Sequence, residues 1–445
     1  MVDGQEGAKY DAISQACPIF SPDGKHVAYA AQVGTKKLVV VDEREGAKYD
    51  AIAEGLPTFS PDSNRVAYGA RRSSKWIVVV DGQEGLLYDT LGKGFPIFSP
   101  DSKRVAYAGK RDSKWIVVVD GHESPLYDTL GAGSPIFSRD SKRVAYTAQL
   151  GSTCIVVVDG VEVAKRDDIP IGSLSFSPDS ERVGYVVLKG AKWSVVIDGL
   201  EGAAYDGIVE GSSIFSPDSQ RVAYAAQQGS EWFVVVDGEE GSKYDTIAAA
   251  DPIFSPNGRR VAYAAQKSKM WCVVVDGLEG STFAAIAEGS PIFSPDGKRV
   301  AYAARKGEMW CVVVDGQEVA RYDIVGQGPI FSPDGKRVGS VVCKGAKWLV
   351  VIDGLEGAAY DGIIKGSLVF GHDNKRVAYA AAKGGRRVAV VDGQEGAKYD
   401  ESIGQGSMIF RADGTLEYLA VKGSTLYRIK HIPGRTHGQP TVPRT

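Results

Sequence analysis

Histidine and cysteine are scarce in this chain of 445 residues, at five of each, and neither type clusters. Cys17, Cys154, Cys272, Cys311 and Cys343 lie far apart. A zinc site needs close pairs such as Cys-x-x-Cys with partners, and a disulfide framework needs an even set, so neither is expected. The five read as small core residues, and free thiols point to a reducing compartment. His26, His122 and His372 fall in turn-like stretches of different segments, and His431 and His437 stand near the end of the chain. No His-Asp-Ser arrangement, zinc-protease helix, phosphate loop or dinucleotide fingerprint is present. The expectation is a protein that is not an enzyme, with no catalytic residues, no metal and no cofactor.

An excess of one charge is lacking too. The 52 basic and 55 acidic residues leave a net charge of −3, which gives no global attraction to nucleic acid or to an anionic membrane. Neither is expected as a partner. No apolar run approaches the roughly 18 residues of a membrane helix, and Met1–Gln5 shows no secretory pattern. A cytoplasmic setting is therefore expected, with the periplasm as the alternative if a signal has been removed. Helix-length segments are absent as well, because glycine (54 residues) and proline (20) interrupt every stretch.

What the chain has is a period. The Phe that opens Phe-Ser-Pro-Asp or its variant recurs at 20, 59, 98, 137, 176, 215, 254, 293, 331, 370 and 410. The spacing is 39 residues, except 38 before Phe331 and 40 before Phe410. A fixed period near forty marks a repeat architecture. Each repeat holds four strand signals, shown by 290–325: A, SPIFSPD; B, RVAYAA; C, WCVVVD; and D, VARYDIV. Asp-Gly after the valine run is a hairpin signal, since glycine takes positive φ without steric cost. The unbroken valines suit a strand covered on both faces. Four strands per forty residues describe the blades of a β-propeller.

The run Ser-Pro-Asp-Gly-Lys-Arg-Val-Ala-Tyr at 294–302 resembles the WD40-like (PD40) repeat of TolB-type propellers. With Trp-x-Val-Val-Val-Asp-Gly and Tyr-Asp, the fuller pattern is similar to bacterial proteins built of such tandem repeats. The likeness spans residues 2 to about 430 and implies a fold rather than an activity, because propellers host many unrelated tasks.

The expected fold class is all-β, a propeller of about eleven four-stranded blades. Val2–Ile13 reads as a C–D turn and strand D without A and B, while the C-terminal stretch supplies A, B and C without D. Closure is therefore expected, with the N-terminal strand joining the C-terminal blade. Residues 1–430 are expected to form a single propeller, 1–15 completing the last blade, with 431–445 a flexible tail. The ring is expected to be monomeric. Residues 183–208 and 338–363, four repeats apart, are nearly identical, which fits growth by copying a four-blade cassette.

Two surface patterns stand out. The B–C loops are mostly basic, with Lys36, Lys37, Arg71, Arg72, Lys75, Lys110, Arg111, Lys114, Lys192, Lys347 and Arg387 among their cations. Trp76, Trp115, Trp193, Trp232, Trp271, Trp310 and Trp348 all open strand C. A solvated rim and packing between blades are the plain explanations. The sharper expectation is a scaffold for protein–protein interaction, using the B–C/D–A face to attract an acidic protein or peptide. The alternative is a small-ligand or glycan-binding module using the indoles. The candidate binding residues are the seven tryptophans with Arg72, Lys75, Lys114, Lys192, Lys347 and Arg387. The recurrent Asp of the valine hairpin reads as a turn residue, and Tyr-Asp of strand D as a guard on the outer edge.

Overall fold

The structure, a computed structural model, describes residues 8–14, 18–53, 57–94, 96–131, 135–166, 174–209, 215–248, 252–400, 408–422, 425–432 and 440–441. It is all-β. No helix is long and apolar enough to cross a membrane. The described residues form eleven antiparallel sheets, one per repeat. The chain divides into two compact units, Met1–Gly211 and Ser212–Thr445. The period runs through this boundary unchanged, so no linker announces it.

The second sheet shows the pattern. Strand A is broken into Ala51–Ile52 and Thr58–Phe59, strand B is Val66–Arg72, strand C is Lys75–Val80, and strand D begins at Gln83–Glu84. Both halves of A pair with B, which pairs with C, which pairs with D. This up-and-down meander is the blade of a β-propeller. Valine and isoleucine fill B and C because β-branched side chains suit a pleated, covered surface. At the C–D hairpin Asp81 and Gly82 both take positive φ, +51° and +80°, the geometry that matches the twist of the flanking strands.

Strand D ends earlier than the sequence suggests. In the eighth sheet it stops at Tyr322, and the residues from Ile324 onward pair with Val338–Lys344 of the next sheet. Tyr-Asp is thus the point where the chain changes sheet. By the same rule Ala12–Ile13 belong to the first sheet, where they pair with Gln32 and Ala31. The strand expected to close the last blade therefore has to come from residues 2–11, most of which lie outside the described residues. The last sheet takes its fourth strand from Pro440–Thr441, inside the segment expected to be a tail, paired with Arg428 and Ile429. Val2–Gly7 lie outside the described residues, as does Cys17.

The shortened repeat has a structural counterpart. Where the spacing falls to 38 residues, the two halves of strand A fuse into one strand, Ile324–Phe331, which absorbs the difference with two register shifts.

The core lies between consecutive sheets. Between the first and second, Val39 and Tyr49 pack with Tyr68, Ala70, Ile77 and Val79. Between the second and third, Val78 and Tyr88 meet Val105, Tyr107, Ile116 and Val118. At the centre the strand-D tyrosine stands edge-on to the strand-B tyrosine of the next sheet. Ring centroids are 6.4 Å apart for Tyr49–Tyr68 and 6.0 Å for Tyr88–Tyr107. Such pairs contribute about 0.5–1.5 kcal/mol beyond their buried area.

Candidate functional site

The recurrent charged residues first have to be traced to their partners. On the B–C side, the aspartate after the strand-D tyrosine has two. Asp50 accepts from Lys36 Nζ at 2.6 Å in its own sheet, and from the backbone N–H of Ser73 at 2.6 Å in the next sheet's turn. Asp89 joins Lys75 to the N–H of Asp112, and Asp128 joins Lys114 to the N–H of Gly151. Hydrogen bonds from the lysines, then from the turns, hold the carboxyls of Asp50, Asp89 and Asp128 below their ordinary pKa.

A second cation is used in the same way. Arg72 forks onto Glu84 with contacts of 2.5 and 2.8 Å, and its guanidinium lies 5.5 Å from the ring centre of Tyr49. The Tyr49 hydroxyl donates to the same carboxylate at 2.9 Å. Arg111, Glu123 and Tyr88 repeat the arrangement.

The opposite edge is stapled by the A–B arginine. Arg65 Nε meets Asp81 at 2.8 Å, and its Nη1 donates to the carbonyls of Ser102 and Lys103 in the next sheet at 2.9 and 2.8 Å. Its guanidinium covers the ring of Phe98. Ser102 carries φ of +67°, an uncommon conformation for a residue with Cβ. Its hydroxyl accepts from the backbone N–H of Asp62 in the preceding sheet at 2.9 Å, which helps hold the turn. Ser60 heads the hydrogen bonds that hold the Asp62 carboxyl low.

Most of the expected basic binding residues are therefore already occupied. Arg72 is held by Glu84, Lys75 by Asp89, Lys114 by Asp128, Lys192 by Asp206 and Lys347 by Asp361. Arg387 sits in strand C of the tenth sheet, its backbone register set by Ala382 and Tyr399, and it makes no ion pair among the described residues.

All seven tryptophans are half-buried at the start of strand C. Their backbones hold strand D: Trp76 and Tyr88 exchange N–H···O bonds at 2.7 and 2.8 Å. The same pairing places Trp115 beside Tyr127, Trp193 beside Tyr205, Trp232 beside Tyr244 and Trp348 beside Tyr360. Trp271 and Trp310 pair with Phe283 and Tyr322. The indole of Trp348 lies so close over Gly326 that a Cβ built there would fall 2.2 Å from the ring.

Two cations are left over beside indoles. Arg71 lies over Trp76 at 5.7 Å and Lys110 over Trp115 at 5.6 Å. Neither makes an ion pair among the described residues, and Arg71 Nε is buried without a hydrogen-bond partner. Both stand opposite their tryptophans in the B–C ladder, in adjacent sheets of the first unit. Sequence reasoning counted them with the other loop cations. The signal that separates them is position, because they precede the turn by one residue more than the paired arginines do.

No family model matches the sequence, and no curated protein matches it significantly. Among solved structures, a eukaryotic initiation factor is 13% identical with a TM-score of 0.37, covering 75% of this chain and 95% of that one. The β-propeller domain of the Trilobed protease from Pyrococcus furiosus is 15% identical with a TM-score of 0.27, covering 62% and 98%. TolB from Acinetobacter baumannii is 16% identical with a TM-score of 0.24, covering 57% and 78%. These likenesses carry no information about activity.

Proposed function

We propose that this chain is a non-catalytic repeat scaffold of the TolB-type PD40 kind, binding an acidic protein segment on the side that carries the B–C turns. The observation that carries the reading is the pair of cations on indoles that make no ion pair among the described residues, Arg71 on Trp76 and Lys110 on Trp115. Arg72, Lys75, Lys114, Lys192 and Lys347 of that side are engaged with carboxylates, so they supply rigidity rather than recognition. The Arg71 guanidinium, held over the indole, offers its outer N–H groups to a carboxylate, and the indole beneath it adds apolar contact area. Cys272, Cys311 and Cys343 are buried and free, which supports a reducing compartment such as the cytoplasm.

The test compares immobilised wild-type protein with the double variant R71A/K110A. Loss of the captured acidic partner at unchanged thermal stability supports the reading. Binding should also weaken steeply between about 50 and 200 mM salt, as screening shortens the reach of exposed charges. Retention of the partner by the double variant, or indifference to salt, would overturn it.

A further inference from the structure

One repeat breaks the tyrosine pattern. Every other strand B carries tyrosine at its third position, from Tyr29 to Tyr418, but the ninth sheet has Ser340. In the neighbouring junctions that ring is present, edge-on to the strand-D aromatic at 6.0 Å in both Phe283–Tyr302 and Tyr360–Tyr379. Between the eighth and ninth sheets the ring is missing. The core there is split into two separate clusters, one around Val312 and Val338 and the other around Tyr322 and Val351. The cavity between them measures about 300 Å³.

Its walls are specific. Val312, Val314 and Val338 give an apolar lining, Ser340 lies at 3% exposure, and Val319, 43% exposed, forms part of the rim. Tyr322 lines the same cavity at 1% exposure; its buried hydroxyl makes no hydrogen bond within 3.5 Å, and burial, then the Glu356 carboxylate, raise its pKa. A buried hydroxyl without a full hydrogen bond loses its hydration uncompensated, so a ligand that pairs with it regains that loss. An apolar cavity of about 150 Å³ suffices for benzene. The charged groups that line it are already engaged: Arg299 with Asp315, Asp353 with Arg337 and Lys336 with Asp334. A neutral occupant is favoured.

We propose that this cavity is a binding site for a small monocyclic phenol. The ligand's ring takes the slot vacated by the strand-B tyrosine, and its hydroxyl pairs with Tyr322. The intact junction between the third and fourth sheets shows such a meeting of hydroxyls, with Tyr127 Oη and Tyr146 Oη 3.4 Å apart. A phenol reproduces what the repeat itself places there. This proposal is independent of the protein-binding surface described above, which lies in other sheets.

The test uses p-cresol and toluene on the full chain, followed by calorimetric titration and thermal unfolding. Wild-type protein is expected to bind p-cresol saturably with a rise in Tm, and at least about tenfold more tightly than toluene, the difference of one hydrogen bond. Ser340→Tyr fills the slot and should abolish binding, while Tyr322→Phe should erase the preference for p-cresol over toluene. If Ser340→Tyr does not fold, Ser340→Leu fills the same space with a smaller group. Absence of saturable p-cresol binding to the wild type overturns the proposal. So does undiminished binding by a folded slot-filling variant, or an unchanged preference in Tyr322→Phe.

Discussion

The carboxylate of Asp50 accepts the backbone N–H of Ser73 at 2.6 Å across a sheet boundary, while its other oxygen holds Lys36. One side chain therefore fixes the end of one blade and the turn of the next. Asp89, Asp128 and Asp361 do the same with Lys75, Lys114 and Lys347.

This relationship sets an acid limit. The carboxyls of Asp50, Asp89, Asp128 and Asp361 are held below their ordinary value of 3.8, first by their lysines. A carboxyl lowered on folding contributes stability that is present above its unfolded pKa and is lost as pH falls through the folded one. Thermal stability should therefore hold down to about pH 5 and decline below about pH 4. Thermal unfolding between pH 7 and 2 reads this directly. A Tm that is flat to pH 2, or that already falls between pH 7 and 6, contradicts the assignment.

Arg104 should resist conservative replacement. It pairs with Asp120 through Nε at 2.8 Å, donates to the carbonyls of Ser141 and Lys142 in the next sheet, and covers Phe137. Lysine keeps the charge but not the planar fork. Arg104→Ala is expected to cost about 1–2 kcal/mol, discounted for its partial exposure, and Arg104→Lys most of the same. Urea denaturation measures both, and a neutral Arg104→Lys would count against a geometric role for the guanidinium.

How much of this was legible depended on sequence distance. The turns and strands B and C could be read because the Asp-Gly hairpin and the valine run are local. The change of sheet at Tyr-Asp could not, because nothing within Tyr88-Asp89-Thr90 shows that Thr90 pairs with Lys110 while Tyr88 pairs with Trp76. For the same reason nothing local shows that Ala12–Ile13 pair with the first sheet. The basic side looked available for binding because each lysine's carboxylate lies one strand away, as with Lys75 and Asp89. A recurring Lys-Asp offset of 14 residues, as in Lys36–Asp50 and Lys347–Asp361, was the signal that could have revealed the pairing. Ser340 was visible as a departure from the pattern, but its consequence depends on what faces it from the neighbouring sheet.

Two strand-D tyrosines should respond differently to loss of the hydroxyl. Tyr49 donates to Glu84 at 2.9 Å, whereas the Tyr360 hydroxyl is buried without a hydrogen-bond partner. Hydrogen bonds to charged groups contribute roughly 1.5–3 kcal/mol, so Tyr49→Phe should destabilise by about that amount. Tyr360→Phe should be neutral or stabilising, since it removes an unpaired polar atom. Equal losses for the two variants in denaturant titrations would contradict the contrast.

Trp348 and Gly326 should behave as a coupled pair. Any Cβ at position 326 meets the indole at 2.2 Å, and the ring is packed against a cluster that includes Val341, Val350 and Tyr360. It therefore cannot withdraw freely. Gly326→Ala is expected to cost about 1–3 kcal/mol by overpacking. In a Trp348→Val background the obstructing ring is gone, so the same substitution should cost little. The double-mutant cycle should then return a coupling of at least about 1 kcal/mol, the size seen for side chains in direct contact. Additive losses would mean that the ring moves aside at no cost, and that this tryptophan is free to present its face to a ligand instead.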